Sequence, residues 1–110
     1  MSNISQARKT LVSRVLHGGG EASSTMRRAA FDNAGMTGPV SRLIDKVAKH
    51  AYNLTDDDIV AVRLAGFTED QIFELVVCAA IGQAARQYEA ALTAIEAATG
   101  ATAHASRDSR

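Results

Sequence analysis

Cys78 is the only thiol in the 110-residue chain, and it stands four residues after Glu74. On a helix that spacing is about one turn, so the carboxylate would lie beside the thiol. Catalysis by a thiolate would also require a histidine from another helix to take up the proton. The valines and alanines at 76–77 and 79–80 favour the other interpretation, an inert core residue whose thiol pKa is raised by burial. Cys78 and Glu74 are therefore catalytic candidates with a structural alternative.

His50 is the candidate general base, because an imidazole exchanges protons near neutral pH. Its alternative role is a favourable interaction with the C-terminus of a helix. Lys49 beside it could receive an anionic carboxylate or belong to a solvated basic face. Arg86 and Gln83 interrupt a long apolar segment, and Arg86 either clamps a substrate carboxylate or pairs with Glu89 three residues later. We therefore take Lys49, Gln83 and Arg86 as candidate substrate-binding residues.

Composition limits the classes of protein to which the chain can belong. It has 46% apolar residues and 12 basic against 12 acidic side chains, which is typical of one compact domain. One cysteine excludes an intramolecular disulfide and the usual Cys/His zinc sites, and we expect neither a metal nor another cofactor. No segment approaches the ~18 apolar residues of a membrane span, and no nucleic-acid-binding motif is present. We expect a cytoplasmic protein that binds neither membrane nor nucleic acid.

The elements that must position these side chains are helices. Alanine occurs 21 times and proline once, a balance that favours helix over strand. An apolar stripe from Ile4 to Leu16, with Ala7 and Leu11 on it, predicts a first helix that the flexible run Gly18–Gly20 ends. A second helix is predicted from about Ser24 to Ala34, with Gly35 as its left-handed C-terminal residue. A third begins at Gly38-Pro39 and presents an apolar stripe from Val40 to Ala51.

Two capping patterns predict the last two helices. Thr55 with Asp58, and Thr68 with Gln71, have the spacing of a capping box, and Gly66 ends the helix between them. The final helix is predicted from about 69 to Ala98, before Gly100. Its segment 72–81 is apolar on almost every side, as in a helix surrounded by protein, and Gly82 indicates close helix packing. We divide the chain into N-terminal helices with a hinge (1–38), a helical core (39–98) and a flexible tail (99–110) in which 101–110 are mobile.

The segment from Ile44 to Ala97 resembles the carboxymuconolactone decarboxylase and alkylhydroperoxidase D-like superfamily. The resemblance rests on a short capped helix, an Ala-Gly-aromatic turn and a long helix rich in small residues, namely 47–52, Leu54–Ile59, Ala65–Ile72 and the long helix through Arg86. It implies an all-α bundle, here of about five helices with one long central helix. It also implies assembly into trimers or hexamers.

The redox members of that superfamily carry a Cys-x-x-Cys pair, which this chain lacks, so dithiol peroxidase chemistry is not expected. The resemblance instead implies that the chain binds or acts on a small organic acid or lactone without a cofactor. We predict a pocket near His50, Cys78 and Arg86, in which His50 moves a proton and Arg86 holds charge. The alternative is a catalytically silent helical module for self-assembly or for docking a partner protein.

Overall fold

The computed structural model describes the backbone of residues 2–108 and the side chains of residues 6–100. This part of the chain is all helical and contains no strand, which confirms the predicted fold class. Five α-helices occur in it: α1 (Ser2–His17), α2 (Ser24–Asp32), α3 (Gly38–Lys49), α4 (Asp56–Leu64) and α5 (Glu69–Asp108). A single 3₁₀ turn (Ala51–Asn53) follows α3.

Most helix boundaries follow the local signals in the sequence. Pro39 lies in the first turn of α3, and Gly66 has a φ of 106° directly after α4. The Thr68 N–H donates to the Gln71 side chain at 3.0 Å, and the Gln71 N–H donates back to the Thr68 hydroxyl at 3.1 Å. The end of α2 differs from the prediction. It stops at Asp32, and Asn33 (φ 53°, ψ 46°) rather than Gly35 is its left-handed cap.

The long helix α5 is unbroken at Gly82 and continues past the predicted end at Ala98 to Asp108. Gly100 costs about 1 kcal/mol of helix propensity relative to alanine, which is too little to end a helix. The 40 residues correspond to about 60 Å of helix, and the longest dimension of the molecule is 66 Å. The mobility expected for 101–110 concerns residues that lie outside the described side chains.

The other helices pack around the first half of α5, chiefly α2 and α3, with α4 packing against α3 and α5. The buried side chains that form this core are Ala30, Leu43, Ile44, Val62, Ile72, Leu75, Cys78 and Ala79. One side of α5 stays open, since Phe73 is 68% exposed. Within a single chain, protein therefore covers segment 72–81 on its other sides but not on the side of Phe73.

Helix α1 runs antiparallel to α5. The Arg8 guanidinium pairs with the Glu89 carboxylate at 3.0 Å and lies over the Tyr88 ring, whereas near the other end of α1 the Val15 carbonyl faces Cys78. Ala7 and Leu11 are exposed, so this part of the predicted apolar stripe does not face the core, and Ile4 lies outside the described side chains. Arg8 covers α5 instead, with the methylene groups of its side chain and through the contact of its guanidinium with the Tyr88 ring.

Helices α2 and α5 approach each other closely at Gly82. A Cβ at this position would lie 2.7 Å from the carbonyl carbon of Phe31 and closer still to its oxygen. The same carbonyl accepts a 2.6 Å hydrogen bond from Arg86 Nη1. The C-terminal turn of α2 therefore lies directly on the backbone of α5, as expected from a glycine within a helix.

We expect Gly82→Ala to destabilise the fold by about 1–3 kcal/mol, the usual cost of overpacking, although alanine is the better helix former. Gly100→Ala is the matched control, because nothing lies within 4 Å of a Cβ there, and it should raise stability by up to ~1 kcal/mol. Urea unfolding at one fixed protein concentration measures both. Stabilisation by both substitutions would contradict the close α2–α5 contact.

Asp58 joins α3 to α4. Its carboxylate accepts the Thr55 N–H at 2.9 Å and contacts Lys46 Nζ at 3.0 Å through both oxygens. The backbone hydrogen bond from Thr55, then the Lys46 ammonium, lower the pKa of Asp58 below its ordinary value of 3.8. The folded state therefore gains stability from this carboxylate above that pH and loses it as pH falls through the lowered pKa.

We accordingly expect Asp58→Asn to be less stable than the wild type at pH 7, with the difference shrinking in acid as the wild-type carboxylate becomes protonated. Asp57→Asn is the control, since it removes a charge from the same first turn of α4 but neither the Thr55 nor the Lys46 contact. Unfolding curves from neutral to acidic pH test this. A difference that does not change with pH would contradict it.

Candidate functional site

An apolar groove with a volume of about 710 Å³ lies between α4 and α5. Arg63 and Glu69, which form an ion pair, contribute its charged groups. None of the predicted site residues lines it. We call it the α4–α5 groove, and its apolar lining residues are Ile59, Val60, Leu64, Ile72, Phe73 and Val76. Leu64 is 83% exposed and Val60 51% exposed, so the groove is uncovered in the single chain.

A second cavity, of about 150 Å³, lies between α1, the glycine run, α2 and α5. We call it the Arg27 cavity, and its lining residues are Arg14, Val15, Gly19, Arg27, Phe73, Glu74, Val77 and Cys78. Of the predicted site residues, this cavity brings together Glu74 and Cys78. It is the place in the described structure where a thiol, a carboxylate and guanidinium groups share one space.

Cys78 is buried, with 1% of its surface exposed, and its Sγ lies 3.5 Å from the carbonyl oxygen of Val15. Burial raises the pKa of the thiol, and the negative charge of Glu74 raises it further, whereas Arg27 acts in the opposite direction. Glu74 therefore opposes the thiolate instead of activating it. The geometry favours the structural interpretation of Cys78.

Glu74 holds the loop that leads into α2. Its carboxylate accepts the Glu21 N–H, at 3.0 and 2.8 Å to its two oxygens, and the Ala22 N–H at 3.1 Å. A Cβ at Gly20 would lie 2.8 Å from the Glu74 carboxyl carbon, so the loop approaches this closely only because Gly20 has no side chain. The run predicted as a flexible hinge is thus tied to α5.

His50 and Lys49 lie at the C-terminal end of α3, and both are exposed. Lys49 Nζ pairs with Asp45 at 3.3 Å, and His50 Nδ1 lies 3.5 Å from the Tyr52 hydroxyl. Among residues 6–100, no hydrogen bond or ion pair joins either side chain to Cys78, Glu74 or Arg86. His50 remains the predicted general base, without a described link to the other candidates.

Arg86 and Gln83 act together at the end of α2. Arg86 donates to the Phe31 carbonyl, and its Nη2 donates to Gln83 Oε1 at 3.0 Å. Arg86 is therefore engaged with backbone, and the expected Arg86–Glu89 pair is not formed because Glu89 pairs with Arg8. Both residues position helices in the described structure.

Arg27 is the residue that sequence reasoning missed. It is 7% exposed, its Nη1 donates to the Val15 carbonyl at 3.4 Å, and its Nε has no partner. The sequence does contain an indication that Arg27 faces inward. Arg27 lies three and four residues before Ala30 and Phe31, both of which face α5. That spacing places the guanidinium stem on the inward face of α2.

Comparison with family models, with curated proteins and with solved structures gives no match for this chain. Within the residues that the structure describes, no helix is both long and apolar enough to cross a membrane. No group of three or more His, Cys, Asp or Glu side chains in the same region is arranged to hold a metal ion.

If Glu74 serves the loop, Glu74→Gln should lower the free energy of unfolding by about 1–3 kcal/mol, because the Glu21 and Ala22 N–H donors lose a charged acceptor. Glu89→Gln is the control on the same helix, and its exposed ion pair should be worth less than about 1 kcal/mol. Urea unfolding of the two variants tests this. Equal effects from both would contradict the proposed role of Glu74.

Proposed function

We propose that the chain is a self-assembling helical module in which the C-terminal half of α5 from one copy occupies the α4–α5 groove of another. The observation that carries the proposal is a row of residues along α5 that alternates in steps of four and three. We call this row the α5 stripe, and it consists of Phe73, Val77, Ala80, Ala84, Gln87, Ala91 and Ala94. All are exposed except Val77, which is half-buried. Such spacing is typical of a helix that packs along another helix.

The α5 stripe is complementary to itself in an antiparallel pair. In a twofold interface each contact occurs twice, with residue i against j and j against i. A twofold axis centred between positions 84 and 87 sets Ala84 against Gln87, Ala80 against Ala91 and Val77 against Ala94. Every pair then contains at least one alanine, which lets the two helices approach closely. Position 98 falls opposite Phe73, the largest side chain of the row.

The same register places the partner's α5 at the α4–α5 groove. It places Ile95, which is 62% exposed, beside Val76 of the groove in the second copy. Because α5 spans the longest dimension of the molecule, its C-terminal half extends far enough to reach a neighbouring copy. Burying Ile95, Phe73 and Leu64 together would remove from water three of the four most exposed large apolar side chains among residues 6–100.

The resemblance to the carboxymuconolactone decarboxylase superfamily predicts trimers or hexamers. The presence of a twofold pair of α5 helices would distinguish a hexamer from a trimer. A hexamer with threefold and twofold axes contains such pairs, whereas an isolated trimer does not.

The acid or lactone chemistry expected near His50, Cys78 and Arg86 stays a prediction. In its disfavour, Arg86, Glu74 and Lys49 already have intramolecular partners.

Light scattering coupled to size-exclusion chromatography tests assembly. We expect the wild type to be a dimer or a multiple of one at micromolar concentration, and Ala84→Glu to be monomeric because it places two carboxylates at the twofold axis. Ala97→Glu is the matched control, since Ala97 is also exposed on α5 but lies off the stripe. A monomeric wild type, or equal effects of both variants, would contradict the proposal.

Cross-linking tests the register. In a Cys78→Ser background, the Ala80→Cys and Ala91→Cys chains should form a mixed disulfide with each other, because the antiparallel pair sets position 80 against 91. Each variant alone should cross-link poorly. Efficient cross-linking of each variant with itself would indicate a parallel pair and overturn the register.

A further inference from the structure

Arg27 has an unusual environment for a charged side chain. It is more than nine-tenths buried, and among residues 6–100 no carboxylate lies within ion-pair distance of its guanidinium. Its described hydrogen bond is a 3.4 Å contact to the Val15 carbonyl, and its Nε has no partner. A buried charge without a counter-charge is costly, so natural sites normally compensate it.

The Arg27 cavity contains the charges that decide what could compensate it. Arg14 and Arg27 each contribute a positive charge, and Glu74 contributes a negative one. The Glu74 carboxylate is bound to the Glu21 and Ala22 N–H groups and does not pair with Arg27. The cavity lining therefore carries one net positive charge. A singly charged anion would neutralise this charge, whereas a doubly charged anion would leave a net negative charge.

We propose that the Arg27 cavity binds a small monocarboxylate. A carboxylate is planar and matches the guanidinium fork of Arg27, whose described hydrogen bond is the 3.4 Å contact to the Val15 carbonyl. The remaining walls, Val15, Val77 and the Cys78 thiol, are apolar and suit a short alkyl chain. The volume of about 150 Å³ holds about five groups the size of a water molecule, which limits the ligand to a few carbons.

The pocket predicted near His50, Cys78 and Arg86 has Cys78 in common with this cavity, but neither His50 nor Arg86 lines it, and the proposal does not require the proposed self-assembly. Its ligand class is defined by one buried guanidinium, one net charge and an apolar wall. A variant that abolishes assembly, such as Ala84→Glu, leaves every lining residue of the cavity in place and so separates the two proposals.

The sole cysteine provides a readout, because the buried Cys78 thiol lines the cavity and reacts only when the structure around it opens, which a bound ligand opposes. Propionate bound to the native state should slow labelling of Cys78 by N-ethylmaleimide, by about tenfold at ten times its dissociation constant. Sodium chloride at matched ionic strength controls for general salt effects. The same labelling experiment is repeated with phosphate in place of propionate. Protection by phosphate equal to that by propionate would overturn the assignment to a monocarboxylate.

Arg27→Gln should abolish the protection, whereas Arg28→Gln should retain it. Arg28 is the matched control because it is adjacent on α2, exposed and paired with Asp32. If Arg27→Gln does not fold, the Arg27 Nε–H resonance of the wild-type protein replaces it, and propionate should shift that resonance while chloride does not. Absence of protection in the wild type, an unmoved resonance, or equal loss in both variants would contradict the proposal.

Discussion

The contact between the C-terminal turn of α2 and the backbone of α5 at Gly82 is the constraint on which the remaining arrangement depends. Any side chain at position 82 would force α2 and α5 apart, since even one methyl group would collide with the Phe31 carbonyl. Arg86 then satisfies that carbonyl, which would otherwise lack an intrahelical partner at the helix end. With α2 fixed in this way, Arg27 on its inward face is buried, and the loop before α2 comes within reach of Glu74.

The polar residues of the first half of α5 illustrate how one spacing supports two interpretations. A carboxylate four residues before a thiol makes the pair a catalytic candidate, and the same spacing lets a helix hold a loop while it packs a small side chain. The deciding observation is the donor set, because Glu74 accepts backbone N–H groups and raises the Cys78 pKa. Sequence spacing alone does not report what a carboxylate accepts.

The helix starts were predictable because each depends on side chains within four residues, as at Pro39, Thr55 and Thr68. The end of α5 was not predictable in this way. A glycine ends a helix when it forms a left-handed cap, and without one Gly100 costs the helix only a small amount of helix propensity. The candidate site was predicted only in part. Glu74 and Cys78 do share a cavity. The local spacing of Arg27 indicates the inward face of α2, but not the cavity that forms where α2 packs against α1 and α5.

Phe73 connects the two proposals physically. It belongs to the α5 stripe and lines both the α4–α5 groove and the Arg27 cavity, while 68% of it is exposed in the single chain. A second copy seated on the stripe would cover Phe73 and so restrict one wall of the cavity. Any change that assembly makes in carboxylate affinity must be matched by an equal change that the carboxylate makes in assembly, because coupling between two binding equilibria is reciprocal. The size of that coupling is set by how far the Phe73 ring moves when the partner helix packs against it.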